Sequence, residues 1–208
     1  LKRKAKFTLA RREITRILSK KGNHKLAILS AEKVITNATT QREKSSAMIL
    51  LARMLLNAGE PTEAIKYSSS AFKINPNGKL EWYLLHARLL GEIQRDNERP
   101  EILRTGHQLT GSIVLRNAWI DSLLECKKYE TALPIIEKEL MSSRLKSSWK
   151  IRRAKAYIGT GKINAAMNDL KMCLKELDQR IHPKKPDMTL IADRGLANAL
   201  LGNIDAAK

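Results

Sequence analysis

Aromatic side chains supply only 4% of this 208-residue chain, and that scarcity excludes a good deal. A core must be assembled from Leu, Ile and Ala instead, and a base-stacking platform for single-stranded nucleic acid, which needs exposed rings among cations, has little to build on. Only Trp149 and Tyr157 lie in a strongly basic repeat unit. Cysteine is almost as rare: Cys126 and Cys173 belong to different segments, with no CxxC or zinc spacing. Two small buried thiols are the simplest reading, and they favour a reducing compartment such as the cytoplasm while leaving localisation open. His24, His86, His107 and His182 are scattered, so no metal or general-base cluster is expected. No Gly-rich phosphate loop, nucleophile elbow or HExxH motif occurs. No run of 18 apolar residues is present, so no transmembrane helix is expected. These absences point away from catalysis, cofactors and metals.

What is present is periodic. Gly22-Asn23-His24…Ala27, Gly59-Glu60-Pro61…Ala64, Gly161-Lys162-Ile163…Ala166 and Gly202-Asn203-Ile204…Ala207 share one shape. A small residue ends a helix, a polar turn follows, and an Ala sits inside the next helix. Lys127-Lys128-Tyr129…Ala132 has the same shape with Lys in the glycine slot. Units begun fourteen residues before each slot start at Thr8, Ser45, Lys79, Ile113, Ser147 and Met188, and the three central steps are each 34 residues. Apolar residues at i, i+3, i+4 and i+7 describe amphipathic helices, and a pair this short must stack on neighbours to bury both faces. Pro61 and Pro100 suit first turns of helices, and Pro134, 34 residues after Pro100, is expected to do the same. No sustained alternation marks a strand.

The second unit carries the clearest signature. Met48, Leu51 and Leu55 recur beside Ala52, followed by Gly59, Ala64, Ala71 and Asn75-Pro76. Trp82, Leu85 and Leu89 repeat the stripe, and Tyr157 and Gly161 mark the fifth unit. This pattern resembles the tetratricopeptide repeat (TPR) family over roughly residues 8–208. The resemblance implies an all-α, right-handed superhelical solenoid of antiparallel helix pairs. It further implies a single array over 1–208 with repeats near 8–41, 45–78, 79–112, 113–146 and 147–180 and a sixth, truncated one at 188–208. An array ending inside a helix pair reads as a piece of a longer protein.

Charge is the most informative functional feature. The net charge of +18 is uneven. Residues 1–22 hold Lys2, Arg3, Lys4, Lys6, Arg11, Arg12, Arg16, Lys20 and Lys21 against Glu13 alone, and residues 147–187 are a second basic stretch. Residues 79–146 nearly balance. Two positive patches are therefore expected.

The resemblance implies a non-catalytic scaffold that binds a partner protein or peptide on the concave face of the first helices. On that stripe fall Arg12, Arg16, Arg53, Tyr83 and Lys155, the candidate partner-binding residues, four as charges and Tyr83 as apolar contact. An acidic peptide suits the cations, and RNA or another polyanion is the alternative. A further alternative is the TPR accessory region of a larger enzyme, such as a glycosyl- or sulfotransferase. The family's carboxylate clamp is absent, because Leu50, Leu80 and Leu84 stand where its polar residues belong. The apolar side chains of the third unit either meet a partner or pack beneath the neighbouring repeat. The register makes one stability claim. Ala64 should sit at a close helix contact, so Ala64→Leu should cost about 1–3 kcal/mol by overpacking, and a thermal melt identical to wild type would place the register elsewhere.

Overall fold

A computed structural model describes residues 2–143, 146–182, 184, 185 and 187–202, with side chains from residue 9 onward. The basic side chains Lys2, Arg3, Lys4 and Lys6, and the repeat positions Asn203, Ile204 and Ala207, lie outside the described residues. Among those described, the chain forms eleven α-helices and no strand. In order they are α1 (Lys2–Lys20), α2 (His24–Thr36), α3 (Gln41–Asn57), α4 (Pro61–Ile74), α5 (Leu80–Glu92), α6 (Arg99–Thr110), α7 (Ile113–Glu125), α8 (Tyr129–Ser142), α9 (Ser147–Gly159), α10 (Ile163–Arg180) and α11 (Met188–Leu200). A single 3-10 turn, Asp96–Glu98, precedes α6.

The helix ends follow from local chemistry. Thr40 caps α3 by accepting from the Glu43 N–H at 3.1 Å, and the Glu43 carboxylate in turn accepts from Thr39 N–H and hydroxyl, each at 2.8 Å. That reciprocal arrangement satisfies amide donors that a helix start leaves over, and the Thr39 N–H holds the Glu43 carboxyl below its usual range. Pro61 opens α4 and Pro100 lies in the first turn of α6, where a missing N–H costs nothing. Pro134 does not follow suit. It sits inside α8, because α8 begins five residues before it at Tyr129 while α6 gives up its first turn to the 3-10 segment. Pro134 and Glu130, whose carbonyl it leaves without an N–H donor, are both exposed, so the break in the ladder falls on the solvent side of the helix rather than in the core.

The chain forms two compact units, residues 1–119 and 120–208, with the division inside α7. In the first, α1 packs on α2, α2 on α3, α3 on α4, α4 on α5 and α5 on α6. The first helices of successive pairs also touch, α1 with α3 and α3 with α5. Ala27, Ala31, Ala47, Ala52, Ala64 and Ala71 have no exposed surface, and they allow this close approach around Leu51, Met54, Leu55 and Leu89. A Leu or Met buried in this way contributes about 1.5–3 kcal/mol. In the second unit α8 packs on α9, α9 on α10, and α11 on both α9 and α10, around Ala154, Ala166, Leu170, Cys173 and Leu177.

Two buried contacts make quantitative claims. Gly159 ends α9 against the face of the Tyr129 ring, so closely that an added methyl group would collide with it. In an open helix Gly→Ala gains about 1 kcal/mol. Here the sign should reverse: Gly159→Ala is expected to lower stability by about 1–3 kcal/mol, and pairing it with Tyr129→Leu should recover much of that loss in urea melts.

His86 of α5 places Nδ1 2.9 Å from the Ser68 hydroxyl of α4 and stands edge-on to Phe72, 5.4 Å between ring centroids. Burial foremost, with Arg95 adding to it and Glu98 opposing, pulls its pKa from 6.5 down to about 4. A histidine whose folded pKa is depressed stabilises the neutral form, so its contribution is complete above pH 6.5 and is lost as pH falls towards 4. The loss should be on the order of 2–3 kcal/mol. Urea midpoints at pH 7.5 and 4.5 check it, with His86→Gln as reference; a wild-type slope no steeper than the variant's over that window would rule it out.

Candidate functional site

In the first unit, three successive first helices bring their outer stripes together. Arg12 and Arg16 are one turn apart on α1, Ser46 and Arg53 two turns apart on α3, and Lys79 and Trp82 occupy the start of α5. These residues, with Ile49, Leu50 and Glu81, line a cavity of about 370 Å³. Arg12 is fixed rather than free. Its Nη1 donates to Ser46 Oγ at 2.9 Å and its Nη2 to the Glu43 carbonyl at 3.4 Å. Burial, and then Arg16 beside it, lowers its pKa while Glu43 opposes, yet a guanidinium remains charged at any physiological pH. Arg16 is exposed and pairs with Glu13 at 3.0 Å. Among the described residues Arg53 and Lys79 have no ion-pair partner. A second cavity of about 330 Å³ shares Arg12, Ser46, Lys79 and Trp82, and adds Leu9, Arg42 and Asn77.

Tyr83 departs from its expected place. It is 1% exposed, its hydroxyl donates to the Pro76 carbonyl at 2.7 Å, and its ring lies against Gly106 and Phe72. It belongs to the core with Ala87, Leu103 and Leu115, and Leu80 and Leu84 pack on the same cluster. The apolar side chains of the third repeat therefore sit under their neighbours, and Tyr83 offers a partner no surface. Trp82, one residue earlier, lines both cavities instead. Lys79 and Ser46 also line both cavities, and the sequence pattern does not single them out for binding. Ser46 could have been found, since it lies two turns before Arg53 on the same stripe.

Lys155 lies in the second unit, in a separate cavity of about 620 Å³ formed by α7, α9 and α11 over Ile151 and Leu196. Asp121, Glu125 and Asp193 also line it. Arg152 is committed there: Nε and Nη2 donate to the two Asp121 carboxylate oxygens at 2.7 and 2.8 Å, and the guanidinium lies 5.0 Å from the Trp149 ring. Burial raises the Asp193 pKa, with Arg152 opposing. Arg153 grips buried Asp169 through two bonds of 2.7 Å, and that interaction raises the arginine's pKa. Lys150 and Arg180 both meet Glu176, at 3.0 and 3.7 Å. The stretch expected to be a second positive patch thus spends four of its cations on internal pairs. Cys173 is fully buried and burial pushes its thiol up to about 12, which leaves it unreactive.

No helix among the described residues is long and apolar enough to cross a membrane. No family model matches the chain, and no curated protein does. Solved structures do. The chain is similar to MamA at 16% identity and a TM-score of 0.67, over 83% of this chain and 93% of MamA. It is similar to a tetratricopeptide repeat protein from Parabacteroides merdae at 16% identity and a TM-score of 0.62, over 96% and 74% respectively. TPR-like repeats of a kinesin light chain from Podospora anserina align at 13% identity and a TM-score of 0.63, over 79% and 91%. The fold is that of a TPR protein, all-α and built of stacked antiparallel helix pairs.

Proposed function

We propose that this chain is a non-catalytic interaction scaffold whose first unit takes an acidic segment of a partner protein on the face built from α1, α3 and α5. Arg12, Arg16 and Arg53 supply the charge for it, joined by Lys79. The observation that carries the reading is the convergence of four cations from three helices on one cavity, at positions where helix packing requires no charge. Lys155 offers a further cation on the second unit's own groove. Similarity to TPR proteins supports a scaffold, since stacked repeats present extended binding surfaces.

Exposed ion pairs contribute only about 0.2–1 kcal/mol each, so single substitutions should be mild. Reversing Arg12, Arg16 and Arg53 to Glu together should weaken a labelled octaglutamate peptide by at least about tenfold in fluorescence anisotropy, with helical circular dichroism unchanged. Undiminished binding by the folded triple variant would sink the assignment. Oligouridine titrated beside it tests the polyanion alternative, in which affinity falls steeply with salt.

A further inference from the structure

The cavity between α1, α3 and α5 carries more positive charge than one carboxylate can neutralise. Arg12, Arg16, Arg53 and Lys79 face it with Glu81 as the acid on its wall, and Glu13 offsets Arg16 from outside. The Glu43 carboxylate accepts from Thr39 and also attracts Arg12, and Arg42 beside it on the adjoining cavity offsets that acid. Two cationic charges are left over: Arg53 and Lys79 are exposed at the cavity rim, and Arg12 is the cation the fold holds in place. Arg12 is half-buried and oriented by Ser46, so its fork is set before any ligand arrives. Ile49, Leu50 and Trp82 lie beneath the cavity as nearly buried core residues, and Leu9 stands exposed at the adjoining cavity.

We infer that this cavity is a phosphate-recognition site, and that its ligand is a phosphoserine or phosphothreonine on a partner polypeptide with apolar residues flanking it. A phosphomonoester carries about −1.5 to −2 charge at neutral pH and three strong acceptor oxygens, which matches the surplus. Guanidinium forks bind such oxygens in pairs. Exposed Leu9 beside the cations offers apolar contact to a peptide's flanking side chain. The cavity does not suit RNA, because Trp82 is only 5% exposed and offers no open ring face for a base. The inference rests on the acidic-partner reading of this face and names the acid.

Three pentapeptides of sequence Ala-Leu-X-Leu-Ala, with X as Ser, Glu or phosphoserine, test it by anisotropy against the full chain. The phosphoserine peptide should bind roughly tenfold tighter than its Glu counterpart. Arg12→Gln with Arg53→Gln should bring the two within about twofold, while the helical circular dichroism is retained. Lowering the pH from 7.5 to 5.5 should weaken the phosphoserine peptide alone, since phosphate passes its second pKa near 6 and Glu titrates only near 4.3. No histidine lines the cavity to confuse that reading. Equal affinity for the Glu and phosphoserine peptides would overturn the phosphate inference and leave the acidic-partner reading standing. Loss of both, with octaglutamate also unbound, would overturn the two together. Preference for phosphoserine that survives the double variant would overturn the site, and oligouridine outcompeting the phosphopeptide through the same arginines would make the ligand nucleic acid.

Discussion

Within each described helix pair the turn rests on one residue held in the left-handed region, and Gly202 repeats that conformation after α11. Gly22, Gly59, Gln94, Lys127, Gly161 and Gly202 take φ of 78, 81, 60, 57, 75 and 82°. At the first five, the following N–H reaches back five residues to a helical carbonyl at 2.8–2.9 Å: Asn23 to Leu18, Glu60 to Leu55, Arg95 to Leu90, Lys128 to Leu123 and Lys162 to Tyr157. This closure satisfies carbonyls that a helix end would otherwise leave bare, and it reverses the chain within two or three residues. Two of the six positions carry side chains despite a steric cost of about 1–2 kcal/mol. Geometry is kept there at the expense of local ease, because the next helix must return onto the last at alanine-to-alanine distance.

That tight return decides where function can reside. The seams between paired helices are filled by residues of zero exposure such as Ala27, Ala64 and Ala71 in the first unit and Ala154 in the second. Side chains there have no latitude. The stripe that the first helices turn outward has it, and the two units use it differently. In the second unit the cations close on acids of the same unit, Arg152 on Asp121 and Arg153 on Asp169. In the first unit Arg12, Arg53 and Lys79 gather near Glu81 and Glu43 without closing on either as an ion pair. Like charges crowd together at an energetic cost unless a ligand supplies the counter-charge.

The repeat itself was legible because it is written in backbone needs. Gly22, Gly59, Gly161 and Gly202, with Lys127 in the same slot, announce the left-handed turn. The third turn has no glycine, yet Gln94 takes the positive φ and a 3-10 segment follows it before α6. Pro134 is misread because a count of 34 from Pro100 ignores that α6 starts late. The candidate site was legible in part. Arg12, Arg16 and Arg53 do come together, because one or two helical turns separate positions on a single face. Tyr83 does not join them. A step of one residue rotates a side chain by about 100° around a helix, which is the difference between Tyr83 in the core and Trp82 at the cavity. Ion pairing in the second unit was the least legible, because Arg152 and Asp121 lie 31 residues apart and only packing brings them together.

Arg12 joins the two halves of this argument. Its guanidinium is held by Ser46 of the next first helix and by the Glu43 carbonyl, so its position depends on how α1 stacks on α3. Stacking depends in turn on the left-handed turns and the alanine seams. A cation fixed by the scaffold loses little rotational freedom when it meets an anion, and partial burial strengthens the attraction by reducing screening. A lone surface arginine on a flexible stem has neither advantage. The repeat architecture therefore does more than carry this side chain: it removes much of the entropic cost that makes exposed ion pairs weak.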